Sequence, residues 1–250
     1  MKRTRVEVLE ALGLWPRWRL RAPAASAEPV SASAEPSLAS TRGEPAADAV
    51  DARAAEIARM DWTQLEQSVA GCSACPLIER RNQTVFGVGD RNAEWLFVGE
   101  GPGAEEDARG EPFVGQAGKL LDNMLAAIGL KRGQNVYIAN IVKCRPPGNR
   151  TPQLSEAQQC EPYLRRQIEL MRPRLLVALG KTAAVNLLGR DAAIASLRGK
   201  VHEYRGIPLI VTYHPAYLLR SLPEKAKAWE DLCFAVATFQ GLPSRVSAPT

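Results

Sequence analysis

The stretch at residues 95–124 constrains the fold most, because it joins a strand, a glycine-rich loop and a helix in direct succession. It opens with the apolar run Trp-Leu-Phe-Val, which is too short for a helix and typical of a buried strand. The chain then turns through Gly99, Gly101 and Gly103, where missing side chains let a ligand approach the main chain. From residue 117 apolar residues recur at the spacing of one helix face. This order predicts a pocket at the carboxyl end of a sheet strand.

Three further apolar runs, at residues 136–142, 175–179 and 209–212, are predicted strands. Segments of helical character alternate with them, and we predict helices over 62–70, 154–171, 181–188 and 224–239. We expect Pro162 to kink or divide the second of these helices. Strands that alternate with helices predict an α/β fold in which a mainly parallel sheet is covered on both faces.

The ends of the chain differ in composition from its middle. Residues 1–22 predict a short basic amphipathic segment that could bind a protein partner, although a marginal, fraying helix is an equal alternative. Residues 23–55 are rich in Ala, Pro, Ser and Glu and predict a disordered linker. The folded domain is expected over 56–243, followed by a flexible tail at 244–250.

The sequence lacks an apolar run of about 18 residues, so we expect no membrane span. We read no secretion signal and expect a cytoplasmic location.

Positive charge is concentrated in one part of the chain. The whole sequence carries a formal charge of +5 at neutral pH. Residues 140–220 contain 13 Lys and Arg against 5 Asp and Glu. A solvated surface would explain this excess, but a face that binds the phosphates of a nucleic acid would explain it as well.

Four of the five cysteines indicate a metal centre. Cys72 and Cys75 form a C-x2-C pair, and Cys144 and Cys160 follow at wider spacing. Four thiolates hold either a zinc ion or an iron–sulfur cluster, and a zinc ribbon prefers two tight pairs. The spacing therefore favours a cluster without excluding zinc or buried, unliganded thiols. Cys233 lies in an apolar helical segment and is interpreted as a core residue.

Five ordered motifs, together with the four cysteines, resemble the family 4 uracil-DNA glycosylases, the iron–sulfur branch of the uracil-DNA glycosylase superfamily. The motifs are CSACP at 72–76, GEGPGAEED at 99–107, EPFVG at 111–115, NIVKCRPP at 140–147 and HPAYLLR at 214–220. The resemblance covers about residues 60–240. It implies a three-layer α/β/α domain with a central four-stranded parallel sheet, which acts on uracil in single- or double-stranded DNA as a monomer associated with the nucleoid.

The resemblance also assigns a cofactor. Cys72, Cys75, Cys144 and Cys160 are the implied ligands of a [4Fe-4S] cluster. The cluster is expected to be structural, because hydrolysis of a glycosidic bond requires no electron.

The resemblance places three side chains around the uracil ring. Phe113 is implied to stack on the flipped base, although Phe is more often a core residue. Asn140 is implied to pair with uracil N3–H and O4, which cytosine cannot match; the alternative is a turn residue at a strand end. Glu106 is implied to exclude the methyl group of thymine, although Glu is also common in a first helical turn.

His214 and the glycine-rich loop are implied to carry the chemistry. Bond cleavage leaves negative charge on the uracil ring, chiefly at O2, and we expect neutral His214 to donate a hydrogen bond there. Gly101 and Gly103 are expected to offer main-chain groups to the base or to the attacking water. Other branches of the superfamily carry Asp at the position of Gly101. Glu100 is the adjacent carboxylate here, but we expect the water to be held mainly by main-chain oxygen.

The segment Tyr217, Leu218, Leu219 and Arg220 is expected to bind DNA, with an apolar wedge in the minor groove and Arg220 near phosphate. An ordinary loop that packs its leucines on the core is the alternative.

A non-enzymatic, metal-dependent DNA-binding module is the competing functional hypothesis. A branch that traps uracil covalently is disfavoured, because no His lies between Cys144 and Cys160. Since every motif lies beyond residue 60, we expect residues 1–55 to be dispensable for excision in vitro.

Overall fold

The computed structural model describes residues 47–244, with side chains described from Ala52 onward. The predicted segment at 1–22, most of the predicted linker at 23–55 and most of the predicted tail at 244–250 lie outside the described residues. The helices within the described part are α1 (Ala47–Ile57), α2 (Trp62–Ala70), α3 (Ala104–Arg109), α4 (Gln116–Ala127), α5 (Leu154–Met171), α6 (Lys181–Leu188), α7 (Ile194–Leu197), α8 (Pro215–Leu218) and α9 (Glu224–Gly241). The strands are β1 (Val88–Gly89), β2 (Trp95–Gly99), β3 (Val136–Asn140), β4 (Leu175–Leu179), β5 (His202–Tyr204) and β6 (Ile207–Thr212). Two short 3₁₀ turns lie at Pro76–Arg80 and Pro147–Asn149.

The sheet has six strands in the order β1-β3-β2-β4-β6-β5. The four central strands are parallel, as predicted, and β1 and β5 pair antiparallel at the two edges. The expected count of four strands is therefore wrong, although the α/β class and the parallel centre are confirmed. The edge strands escaped the sequence analysis because β1 has two residues, and β5 is polar and half-exposed. Arg205 and Gly206, both at positive φ, connect β5 to β6.

Helices cover both faces of the sheet, because the central strands are buried on both sides. In β2 all five residues are buried, and successive side chains point to opposite layers. Leu96 and Val98 join one core cluster together with residues of α2, α5 and α6. Trp95 and Phe97 join the other cluster together with residues of α4 and α9. The carboxyl ends of the four parallel strands therefore meet at one edge of a three-layer sandwich.

Two local expectations need revision. Pro162 does not divide α5, which continues from Leu154 to Met171 with its apolar side buried, and a kink at Pro162 stays a prediction. Cys233 is exposed rather than buried. The sheet-facing side of α9 is formed instead by Ala228, Leu232 and Ala235, at helical spacing.

The predicted boundary of the folded domain also requires correction. The helix α1 begins at Ala47, so residues 47–55 are not part of a disordered linker. Arg53 donates hydrogen bonds to the Gln159 carbonyl (2.9 Å) and to Cys72 Sγ (3.7 Å), and its guanidinium lies over the Tyr163 ring. Ile57 is fully buried. The structured domain therefore includes α1.

None of the helices between residues 47 and 244 combines the length and apolarity needed to cross a membrane.

We predict that removal of residues 1–46 leaves the thermal unfolding midpoint unchanged, whereas removal of residues 1–55 lowers it. The longer truncation eliminates the hydrogen bonds of Arg53, which are worth about 1–3 kcal/mol in total, and a domain of this size loses roughly 2–4 °C per kcal/mol. Arg53→Met in the full chain is the matched variant and should reproduce the drop. Equal midpoints for both truncations would contradict this account of α1.

Candidate active site

The predicted catalytic and base-binding residues line one cavity at the carboxyl edge of the sheet. The cavity has a volume of about 510 Å³. Glu100 follows β2, Asn140 ends β3 and His214 follows β6, so three different strands contribute to it. The other predicted residues on its wall are Gly101, Gly103, Glu106, Phe113, Tyr217 and Arg220. The topology thus brings together residues that are more than 100 positions apart in the sequence.

Asn140 presents an unpaired hydrogen-bond acceptor. Its side chain is 2% exposed, and its Oδ1 has no hydrogen-bond partner among the described residues. Leaving a buried acceptor unpaired costs about 1–3 kcal/mol. Since Asn140 also lines the cavity, its carboxamide brings a buried, unsatisfied acceptor to this wall.

Gly99 makes room for Asn140. It is the residue paired with Asn140 across β2 and β3. A Cβ at Gly99 would overlap Asn140 Oδ1 and would lie 2.6–2.7 Å from the Phe113 ring. Any larger residue would therefore displace the carboxamide or the aromatic ring from the cavity wall.

Phe113 adopts an unusual backbone conformation. Its φ is +56°, a region that aromatic residues rarely occupy. Its side chain is 6% exposed and forms part of the cavity wall. The ring lies 5.5 Å from the His214 ring, centroid to centroid, at an interplanar angle of 31°. The sequence motif indicated an aromatic residue held in a loop, but it gave no sign of the strained φ.

Glu106 connects the two loops of the cavity. Its Oε2 accepts a hydrogen bond from the Gly103 amide (3.1 Å). Its Oε1 accepts from the amides of Val114 (3.0 Å) and Gly115 (3.1 Å). The carboxylate therefore ties the glycine-rich loop to the loop that carries Phe113, a function that the sequence analysis did not foresee.

His214 has a defined tautomer in its neutral form. Its Nδ1 accepts a hydrogen bond from the Ala216 amide (3.1 Å), which caps α8. The proton of the neutral ring then resides on Nε2. Burial lowers the pKa of His214, while the charge of Glu100 opposes this effect and Arg220 reinforces it. Gly180, at φ +92°, lets β4 approach this segment closely, because a Cβ there would lie 2.9 Å from His214 Cβ.

The structure divides the predicted DNA-binding segment into exposed and buried residues. Tyr217 and Leu219 are exposed at 38% and 41%, and Tyr217 and Arg220 line the cavity. Leu218 is 1% exposed and belongs to the core cluster on the α4 and α9 side. Leu218 is therefore a core residue, and its predicted contact with DNA is wrong because its side chain faces inward from the one-turn helix α8.

One wall of the cavity was missed in the sequence. It is formed by Pro146, Asn149, Arg150, Thr151 and Pro152. Arg150 forms a bidentate ion pair with buried Glu156, at 2.7 and 2.8 Å. This pair holds the pKa of Glu156 below its usual range. Glu156 also accepts a hydrogen bond from the Gln153 amide at the start of α5. A Glu three residues after a helix cap is typical of a capping box, and this spacing could have indicated the role of Glu156 from the sequence.

The four predicted ligand cysteines line a second, small cavity between the end of α2, α5 and the segment after β3. Three hydrogen-bond donors converge on their sulfur atoms. Arg81 donates to Cys144 Sγ (3.0 Å), Arg53 to Cys72 Sγ (3.7 Å) and the Lys143 amide to Cys160 Sγ (3.2 Å). Two guanidinium groups and one main-chain amide that donate to the sulfur atoms fit an anionic, thiolate-bound centre.

The state of the four thiols bears on whether they can hold a metal. Among the described residues, no three His, Cys, Asp or Glu side chains approach closely enough to hold a single metal ion. The four thiols therefore share one small cavity without forming a site for a single metal ion. Burial raises the pKa of the Cys160 thiol to about 12, and coordination to a metal would displace its proton.

Comparison with known proteins identifies the family. A family model described as the uracil DNA glycosylase superfamily matches residues 86–233. A type-4 uracil-DNA glycosylase of Pyrobaculum aerophilum is 41% identical over 181 residues, which cover 69% of this chain and 92% of that protein. This chain belongs to the type-4 uracil-DNA glycosylases.

Two further type-4 uracil-DNA glycosylases support the assignment. Those of Archaeoglobus fulgidus and Thermotoga maritima are 46% and 45% identical over 161 and 159 residues. The matches cover 61% and 63% of this chain and 80% and 82% of the two relatives. The family expected from the sequence motifs is confirmed, and the alternative of a non-enzymatic DNA-binding module is set aside.

We predict that Gly99→Ala lowers the rate of uracil excision by about 5- to 150-fold, because overpacking at this site displaces Asn140 or Phe113 at a cost of about 1–3 kcal/mol. Cleavage of a single-uracil oligonucleotide, followed by alkali, measures the rate. Gly241→Ala is the matched control, since no atom lies within 4 Å of a Cβ there. A Gly99→Ala enzyme with the wild-type rate would contradict the proposed packing.

Proposed function

We propose that this uracil-DNA glycosylase flips uracil out of DNA into the 510 Å³ cavity and hydrolyses its N-glycosidic bond, with water as the nucleophile. The products are free uracil and an abasic site. The observation that carries the proposal is the buried, unpaired Oδ1 of Asn140 on the cavity wall. A monofunctional mechanism is supported by the composition of the wall, since none of its residues, all within the described part of the chain, is lysine.

Asn140 accounts for the choice of base. Its Oδ1 accepts from uracil N3–H, and its amide donates to O4. Cytosine has an unprotonated N3 and a 4-amino group, so both contacts fail and buried polar groups remain unpaired. Two such failures cost about 2–6 kcal/mol in total. Phe113 forms the flat side of the cavity, on which the extruded ring stacks.

His214 stabilises the leaving group. The hydrogen bond from Ala216 fixes the proton of the neutral ring on Nε2, which donates to uracil O2 as negative charge develops there. No reorganisation is required during the reaction, because the tautomer is set by the helix cap. Lowering of the pKa by burial keeps the imidazole neutral at physiological pH.

Water is held at the junction of Glu100 and Gly101. Both residues line the cavity. A Cβ at Gly101 would lie 2.8 Å from Val142 Cγ2, so the main chain is close-packed and fixed at this point. We propose that main-chain oxygen orients the water, that Glu100 adds a nearby negative charge, and that bond breaking precedes attack. We propose that Glu106, which the amides of both loops hold at the cavity wall, lies beside the C5 edge of the base and crowds out the methyl group of thymine.

Tyr217 and Leu219 are the exposed residues proposed to form the wedge in the DNA, with Arg220 beside the phosphate of the flipped nucleotide. Because the whole site is contained in one chain, we propose that the enzyme acts as a monomer. A cytoplasmic location at the nucleoid follows from its substrate. Binding of a protein partner by residues 1–22 stays a prediction.

We propose that Cys72, Cys75, Cys144 and Cys160 hold a [4Fe-4S] cluster. When bound, the cluster supplies a covalent cross-link between the α2 end of the chain, the segment after β3 and α5.

Lys143 lies in the segment after β3 and extends toward the uracil site. Its Nζ is buried and donates to the Asn140 carbonyl (3.1 Å) and to Gln167 Oε1 (2.7 Å). The residues between the two sites therefore form a continuous hydrogen-bonded connection.

We predict that Asn140→Ala lowers kcat/KM for a uracil-containing oligonucleotide by about 10²–10⁴, as expected for the loss of two hydrogen bonds in a desolvated site. Affinity for uracil-free duplex should be unchanged, because Asn140 does not contact the DNA backbone in this account. Asn92→Ala, in an exposed turn outside the cavity, serves as the control. Loss of less than threefold in the Asn140 variant would remove the basis of the proposal.

We predict that His214→Ala lowers kcat by about 10²–10³, the cost of losing one preset donor to a developing oxyanion. Because the pKa of His214 is lowered, the neutral ring that accepts from the Ala216 amide persists on acidification, and the acidic limb of the wild-type pH–rate profile should lie below pH 6.5. That limb should be absent from His214→Ala. His202→Ala, which changes the other histidine of the chain, should retain both rate and profile. A limb above pH 6.5 that depends on His214 would refute the neutral-imidazole mechanism.

A further inference from the structure

Arg132 lies between α4 and β3, outside the wall of the uracil cavity. Its side chain is 18% exposed. Two of its nitrogens donate to consecutive main-chain carbonyls, Nη1 to Pro112 (2.8 Å) and Nη2 to Phe113 (2.9 Å). Its Nε is held by Asp122 of α4 (3.0 Å), and Nη1 also faces Glu111 at 3.5 Å. The guanidinium therefore joins a rigid helix to the loop that carries the stacking ring.

The loop requires such a restraint because of the backbone of Phe113. A non-glycine residue held in the left-handed region costs about 1–3 kcal/mol and persists only where its surroundings enforce it. The helix α4 packs directly against the loop, since a Cβ at Gly118 would overlap the Phe113 carbonyl. On the amide side the loop is held by Glu106, which accepts from Val114 and Gly115. On the carbonyl side Arg132 supplies both donors.

We propose that Arg132 is a positioning residue for uracil excision, which holds the Phe113 ring in its stacking position without touching the substrate. This inference rests on the proposed role of Phe113. A planar fork that donates to two carbonyls while its Nε remains bound to a carboxylate is a property of arginine, and the ammonium group of lysine cannot reproduce it. Small displacements of a reacting group by remote substitutions can cost up to about 10²-fold in rate.

The test is a double-mutant cycle between Arg132 and Phe113. Single-turnover excision from a uracil-containing oligonucleotide is measured for wild type, Arg132→Met, Arg132→Lys, Phe113→Ala and the double variant Arg132→Met/Phe113→Ala. Inhibition by free uracil is measured alongside, because a displaced ring weakens product binding whereas a purely structural change does not. The control is Lys131→Met, which removes one positive charge from the exposed neighbouring residue.

The proposal predicts a loss of about 10- to 100-fold for Arg132→Met, with no rescue by lysine and no effect of Lys131→Met. Inhibition by free uracil should weaken in parallel. The double variant should be no slower than Phe113→Ala alone. Multiplied losses in the double variant, a wild-type rate in Arg132→Met, or full activity with lysine would each overturn it.

Two further outcomes are distinguishable. If Phe113→Ala retains the wild-type rate, the stacking role in the proposed function fails, and this inference fails with it. If Phe113→Ala is slow but Arg132→Met is not, only the inference about Arg132 fails.

Should Arg132→Met not fold, Asp122→Asn replaces it in the cycle, because that change weakens the Nε anchor and leaves the loop sequence intact. A several-fold loss that disappears in the Phe113→Ala background supports the proposal, and a loss that persists contradicts it.

Discussion

The pairing of Gly99 with Asn140 across β2 and β3 is the constraint on which the proposed uracil site depends. Parallel register places the last residues of the two strands side by side. Because Gly99 has no side chain, the Asn140 carboxamide and the Phe113 ring fit into the space that a side chain there would take. Asn140 is consequently buried with an unpaired acceptor. A polar group that the fold leaves unpaired is stabilised when a complementary ligand arrives, and we propose that this cost in stability becomes selectivity for uracil.

The remaining groups of the site are fixed by hydrogen bonds within the protein. The helix cap sets the tautomer of His214, and Glu106 and Arg132 restrain the loop of Phe113 from opposite sides. Glu106 and Arg132 thus act on the position of Phe113 through the main-chain groups that they bind. Such preorganisation places donors and an aromatic surface before the base arrives, so little free energy is spent on rearrangement during bond cleavage.

Much of this architecture could be predicted from the sequence. Strongly apolar strands and periodic helices gave the α/β class, and ordered motifs gave the family and the cavity residues. Residues 88–89 and 202–204 were missed because short or polar edge strands lack a clear pattern. Leu218 and Cys233 were misjudged, since the side of a helix that faces the core depends on tertiary contacts that local composition does not reveal. The support from Arg132 and Arg150 arises from contacts distant in space, for which the motifs gave no signal.

The most direct test of the central claim is a crystal structure of the enzyme with free uracil. The account predicts uracil in the cavity with N3 within hydrogen-bonding distance of Asn140 Oδ1, O2 within reach of His214 Nε2 and the ring parallel to Phe113. Uracil bound in another orientation, with Asn140 Oδ1 still unpaired, would contradict the claim that this acceptor selects the base.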